Sequence, residues 1–167
     1  SPSVEEGKVR FIIKGQAFTD NLRDMRSQVF FDVAHKNNFI EFSGTQCAPV
    51  ASTGFYNRNV LVMTRQSHYA WTYNFLERMT LTEDRTLKYS WETDQHIELM
   101  FCQGPNEFRK PILDNSHAAE WEHIGKGDRE NTYTEEAWVQ IEQHHDAGGW
   151  INDPLRNMLM DRKIRRA

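Results

Sequence analysis

The sequence is poor in cysteine: Cys47 and Cys102 are the only two among 167 residues. That is too few for the disulfide framework that staples small secreted domains. Long apolar runs are also missing. The stretch Val60-Leu61-Val62-Met63 is strand-sized, far short of the ~20 residues that span a bilayer. No Asn-x-Ser/Thr sequon and no signal-type apolar core occur. Together these absences lead us to expect reduced cysteines, no membrane association and an intracellular setting, either cytoplasm or an organelle after removal of a leader. The start at Ser-Pro-Ser, without Met, reads as a processed form or a piece of a longer chain. Positive charge is not in excess either, with 20 Lys and Arg against 24 Asp and Glu and a formal charge of −4. Phosphate contacts supply most nucleic-acid affinity, so a protein that binds nucleic acid over its whole surface is disfavoured. Finally, the sequence has no Gly-x-Ser-x-Gly elbow, no Gly-x4-Gly-Lys phosphate loop and no His-Glu-x-x-His zinc helix. No catalytic residue, cofactor or metal is therefore assigned.

Aromatic residues, by contrast, are plentiful. Phe, Trp and Tyr make up 12% of the chain, and 38% of it is hydrophobic, enough to bury a core despite a mean hydropathy of −0.75. The length fits one domain over residues 1–167. Alternation is the dominant pattern in residues 8–113. Val9, Phe11 and Ile13 alternate with polar neighbours, as do Val29, Phe31 and Val33, and the run from Phe39 to Phe42 follows. Residues 44–54 read as a loop and residues 59–64 as a strand. In residues 69–81 every second position is Tyr69, Trp71, Tyr73, Phe75, Glu77, Met79 and Leu81. Glu83-Asp84-Arg85 then turns the chain into Leu87, Tyr89 and Trp91, and Ile97, Leu99 and Phe101 continue the period. Phe108 to Leu113 reads as a last strand. Strict alternation predicts antiparallel strands with one face on a core. The expected fold is therefore mainly β, an antiparallel meander closing into a barrel-like (calycin-like) or sandwich architecture. The Gly-x-Trp of lipocalin barrels is absent from it.

Residues 116–166 change texture and predict helices. Thr134 caps a segment whose first turn carries Glu135 and Glu136, which Gly148-Gly149 ends. Asn152, with Pro154 just after it, starts a second helix.

Three readings of function follow. The first is a non-enzymatic binding module whose barrel holds a small apolar or aromatic ligand against Tyr69, Trp71, Tyr73, Tyr89 and Trp91. Amphipathic rings offer flat apolar area together with a polar atom that orients a ligand. Alternating aromatics are also what strands ordinarily bury. The second is an interaction subunit that meets protein, RNA or a second copy of itself. It would use a sheet face or the basic C-terminal residues Arg156, Arg162, Lys163, Arg165 and Arg166, which equally suit a terminal helix whose dipole they complement. The third is a barrel enzyme using His and Tyr as acid and base, which requires a buried His beside a carboxylate. His96 with Glu98 or Asp94 would supply such a pair, while Glu120-x-x-His123 and Glu142-x-x-His145, acid and imidazole on one helical face, have the spacing of a metal site without the four-helix bundle that assembles one. Structural histidines and solvated acids are the commoner outcome of such spacing.

Overall fold

The computed structural model describes residues 3–5, 8–10, 30, 39–126 and 132–167. Near the start, β1 (Ser3–Glu5) pairs with β2 (Lys8–Arg10) as an antiparallel ribbon. The main sheet contains β3 (Ile40–Phe42), β4 (Thr45–Ala48), β5 (Ser52–Asn57), β6 (Val60–Tyr69) and β7 (Thr72–Phe75). Side by side, these five strands run β3-β4-β7-β5-β6. All neighbours are antiparallel except β5 and β7, which are parallel, with Phe55 opposite Tyr73.

Two tight turns set much of this register. Ser43 and Gly44 join β3 to β4 with φ of 48° and 78°, and Arg58 and Asn59 join β5 to β6 with φ of 51° and 75°. Positive φ at both central positions marks the two-residue turn whose twist matches that of the flanking strands. The central strand β7 is buried at all four positions. Tyr73 and Phe75 join Cys47, Phe55 and Val62 in the main core. Asn74 points the other way, its amide donating to Gln46 Oε1 (2.9 Å) and Asn59 Oδ1 (3.0 Å). Phe30, Ala48 and Tyr56 form a small second cluster with Val50 and Leu61.

The sheet is mixed and open, with β3 and β6 at its edges. The expected antiparallel barrel or sandwich does not form because the chain leaves the sheet after Phe75. Alternation in residues 77–87 belongs instead to a small separate hairpin. There Thr82 N–H donates to Thr86 O (2.8 Å), Lys88 N–H donates to Thr80 O (2.9 Å), and Leu81 bridges Leu87. The loop expected over residues 44–54 contains β4. Helices begin within the stretch expected to be β-rich: α1 (Ser90–Gln103), α2 (Asn106–Leu113), a 3₁₀ turn (Ala119–His123), α3 (Glu135–Asp146) and α4 (Asp153–Arg166).

The reason is an overlap of periods. In α1 the buried residues include Thr93, Ile97, Met100 and Phe101, a helical stripe, and Ile97, Leu99 and Phe101 happen to alternate within it. In α2, Phe108, Arg109, Ile112 and Leu113 are buried at helical spacing. The C-terminal helices follow expectation. Thr134 Oγ1 accepts from Ala137 N–H (3.1 Å) and Asn152 Oδ1 accepts from Leu155 N–H (3.0 Å), both N-cap bonds. The strand expected around Val29, Phe31 and Val33, and the part of residues 8–14 beyond Arg10, lie outside the described residues.

Candidate functional site

The aromatic residues singled out from sequence divide into two groups. Tyr69, Trp71 and Tyr73 are buried in the core, where sheet meets helices. Their polar atoms are all engaged there. Trp71 Nε1–H donates to Phe108 O (3.0 Å), Tyr73 Oη–H donates to Glu120 Oε2 (2.9 Å), and Tyr69 Oη lies 2.9 Å from His123 Nε2. Tyr89 and Trp91 do not face them across a hairpin. They sit at the start of α1, 41% and 54% exposed, with ring centroids 6.1 Å apart.

Around the three buried rings lies a polar joint, buried at Glu120 and His123 and partly exposed at Arg65 and Asp94. Glu120, fully buried, accepts from Ala70 N–H (2.8 Å), Trp71 N–H (3.3 Å) and the Tyr73 hydroxyl, tying the 3₁₀ turn to the β6–β7 corner. Burial pushes its carboxyl up to about 7, although those three donors pull the other way. Next to it, Arg65 on β6 donates to Tyr69 Oη (2.9 Å), Thr93 Oγ1 (3.0 Å) and Asp94 Oδ1 (2.7 Å). His123 Nε2 lies 3.3 Å from Arg65 Nη1, which can only donate. The network therefore assigns the ring proton to Nδ1, 3.5 Å from Asp94 Oδ1, while Nε2 accepts from Tyr69. Burial holds His123 below the usual imidazole range, and burial lifts Tyr69 to about 12. At neutral pH both side chains are uncharged. Glu120 and His123 thus share a short turn but serve different partners. Among the described residues, no group of three or more His, Cys, Asp or Glu is placed to hold a metal. Cys47 and Cys102 are free and buried, and burial raises both thiols, Cys102 to about 11, so neither is a ready nucleophile.

The C-terminal basic residues are largely paired within the molecule. Arg162 and Arg166 (2.7 Å) both reach Glu135, Lys163 reaches Asp146 (2.9 Å), and Arg156 reaches Asp153 (2.8 Å). Arg165 Nε–H donates to Asp161 O on its own helix (3.4 Å). A further arginine is sealed in the helical half. Arg109, fully buried, donates to Gln140 Oε1 (2.6 Å), Phe101 O (2.9 Å), Gly104 O (2.7 Å) and Asn106 Oδ1 (2.7 Å).

On the edge of the sheet the arrangement is reversed. A cleft of about 470 Å³ opens between the β5–β6 turn, β6 and the segment 78–85. Its lining includes the apolar Val60, Val62, Met79 and Leu81, and three exposed arginines, Arg58, Arg78 and Arg85. A groove of about 170 Å³ shares Arg78 and Met79 with it and is walled by Trp91, Glu92 and His96. Sequence reasoning missed this cleft, because its walls lie about twenty residues apart in the chain and meet only through tertiary contacts. The local signal present was Asn57-Arg58-Asn59 between two apolar runs, a turn signature.

No protein family, no curated protein and no solved structure matches the chain. Among the described residues, no helix is long and apolar enough to cross a membrane.

Proposed function

We propose that the protein is a non-enzymatic binding module for a small ligand with an apolar or aromatic body, seated in the edge cleft rather than against the buried rings. One observation carries the reading: an open cleft of about 470 Å³ with Val60, Val62, Met79 and Leu81 in its lining. That volume falls in the usual range of ligand sites, roughly 300–1,000 Å³, which combine apolar walls with a few polar anchors. Of the five aromatics expected to line a site, Trp91 stands at the adjoining groove, while Tyr69, Trp71 and Tyr73 support the scaffold beneath. A screen of small apolar and aromatic compounds by saturation-transfer NMR tests this, run on the full chain and on Leu81→Trp, whose larger side chain fills the cleft. Hits on the parent that vanish in the variant are expected. An empty screen, or hits indifferent to Leu81→Trp, would sink the proposal.

A second reading, proton-transfer chemistry, has one observation in its favour. His123 is buried and stands between Asp94 and the Tyr69 hydroxyl. Against it, Tyr69 is 1% exposed and its hydroxyl already bonds Arg65 and His123, so the pair is engaged within the fold. The binding reading is preferred for that reason.

A further inference from the structure

Resting on the small-ligand reading of the edge cleft, we infer that its occupant carries a phosphomonoester, gripped by Arg58, Arg78 and Arg85, with its organic body on Val62, Met79 and Leu81. The cleft is built by specific bonds rather than left by loose packing. At one end the buried Asn57 side chain clamps the chain after β7. Its amide donates to Phe75 O (2.8 Å) and Glu77 O (2.6 Å), and its Oδ1 accepts from Met79 N–H (3.3 Å). Arg78 is therefore held between two fixed neighbours, beside the turn that presents Arg58. At the other end Leu87 N–H donates to Val62 O (2.9 Å), hanging the small hairpin on the side of β6 away from β5. Arg85 occupies that hairpin's turn, its N–H donating to Thr82 O (2.9 Å).

The charge arithmetic then selects the ligand. Elsewhere arginines have partners: Arg65 with Asp94, Arg156 with Asp153, Arg162 and Arg166 with Glu135. None of Arg58, Arg78 and Arg85 makes a side-chain hydrogen bond or ion pair among the described residues. No carboxylate lines the cleft itself; Glu77 and Glu92 line the adjoining groove that shares Arg78, and Asp84 lines a groove along β6 that shares Arg85, none of them pairing with these arginines. Three exposed arginines line one cleft with an apolar floor, and an anion seated there draws on all three. A carboxylate carries one charge and fills one guanidinium fork. A phosphomonoester carries about −1.5 to −2 near neutral pH, with three strong acceptor oxygens. A nucleic-acid strand needs an extended basic track, whereas this chain carries a net charge of −4.

The test uses the full chain labelled with ¹³C-methyl methionine, with Met79 assigned through Met79→Leu. Phenyl phosphate, inorganic phosphate, benzoate and benzyl alcohol are titrated in turn. Phenyl phosphate is expected to shift Met79 saturably and to bind at least about tenfold more tightly than benzyl alcohol or benzoate, as multiple charge-assisted bonds require. Inorganic phosphate should compete with it. Arg58→Gln and Arg78→Gln should each weaken it roughly tenfold, while Arg156→Gln, away from the cleft, should not. Far-UV circular dichroism checks that each variant is folded. Several results would overturn the inference: phenyl phosphate affinity unmoved by Arg58→Gln and Arg78→Gln, benzoate binding as tightly, or single-stranded RNA displacing phenyl phosphate at lower concentration. Benzyl alcohol binding at Met79 as tightly as phenyl phosphate removes the phosphate and leaves the small-ligand reading. Silence of Met79 towards every compound removes both.

Discussion

Arginine is used in opposite ways in two regions of this molecule. Where sheet and helices pack, the fully buried Arg109 and the partly buried Arg65 spend their donors on named acceptors. At the sheet edge, Arg58, Arg78 and Arg85 line a cleft and spend their side-chain donors on nothing in the described chain. A buried cation must be fully partnered or the fold fails, so the interior arginines report on stability. An exposed cation in a built cleft is under no such obligation, so its placement reports on what comes to it. Burial and strong pKa displacement, the usual pointers to a working site, here mark the scaffold instead. Glu120 and His123 are displaced by burial, at positions where they join secondary-structure elements.

The largest expected contrast is therefore in stability. Arg109→Ala strands two backbone carbonyls and two side-chain amides and leaves a cavity between α1, α2 and α3. It should cost about 3–5 kcal/mol in urea unfolding. Arg109→Lys should recover little, because one ammonium cannot serve acceptors spread over Phe101, Gly104, Asn106 and Gln140. A loss below about 1 kcal/mol for Arg109→Ala, the worth of a single ordinary hydrogen bond, would break the claim that interior arginines hold the fold.

The next contrast lies in pH dependence within the polar joint around Glu120 and His123. Glu120 is raised from 4.5 to about 7. Between those values the folded state keeps a proton that the unfolded state has lost. Its contribution is thus full below 4.5 and is lost as pH rises through about 7, a span on the order of 3 kcal/mol. His123 runs the other way. Its folded value is depressed from 6.5, so its contribution is present above 6.5 and lost as pH falls through the depressed value. Urea melts from pH 4 to pH 8 separate the two. Glu120→Gln should leave stability falling on acidification, and His123→Asn should leave it rising as pH drops from 7 towards 4.5. Parallel curves for Glu120→Gln and the parent would show that Glu120 is not the group responsible.

How much of this was legible in the chain follows from which interactions are local. The caps at Thr134 and Asn152 were readable because a cap needs only the few residues beside it. The turn at Glu83-Asp84-Arg85 was readable for the same reason, although the hairpin it closes stands outside the main sheet. Residues 90–113 were misread because a short apolar segment satisfies two periods at once, and tertiary burial of Thr93, Ile97 and Met100 decided between them. The openness of the sheet could not be read, since it depends on β5 and β7 pairing in parallel after β6 has passed around the outside. Among the candidate residues, Tyr69, Trp71 and Tyr73 all lie in the main core. What they share is a set of buried partners, which alternation alone does not specify.

The smallest expected effect is the most discriminating one. Arg58 and Arg85 both stand at positive φ, 51° and 58°, where glycine or asparagine is ordinarily favoured. Keeping arginine there costs up to about 1–2 kcal/mol of local strain for an L residue, and neither side chain gains a bond among the described residues in return. Arg58→Gly and Arg85→Gly should accordingly unfold at the same urea concentration as the parent or slightly higher, a gain of at most about 1 kcal/mol after glycine's extra chain entropy is subtracted. The same variants should lose phenyl phosphate binding at Met79. Stability and binding would then move in opposite directions at one position, which structural residues do not do. If either glycine variant instead loses more than about 1 kcal/mol, the edge arginines hold the fold as Arg109 does, and the distinction between the two regions collapses.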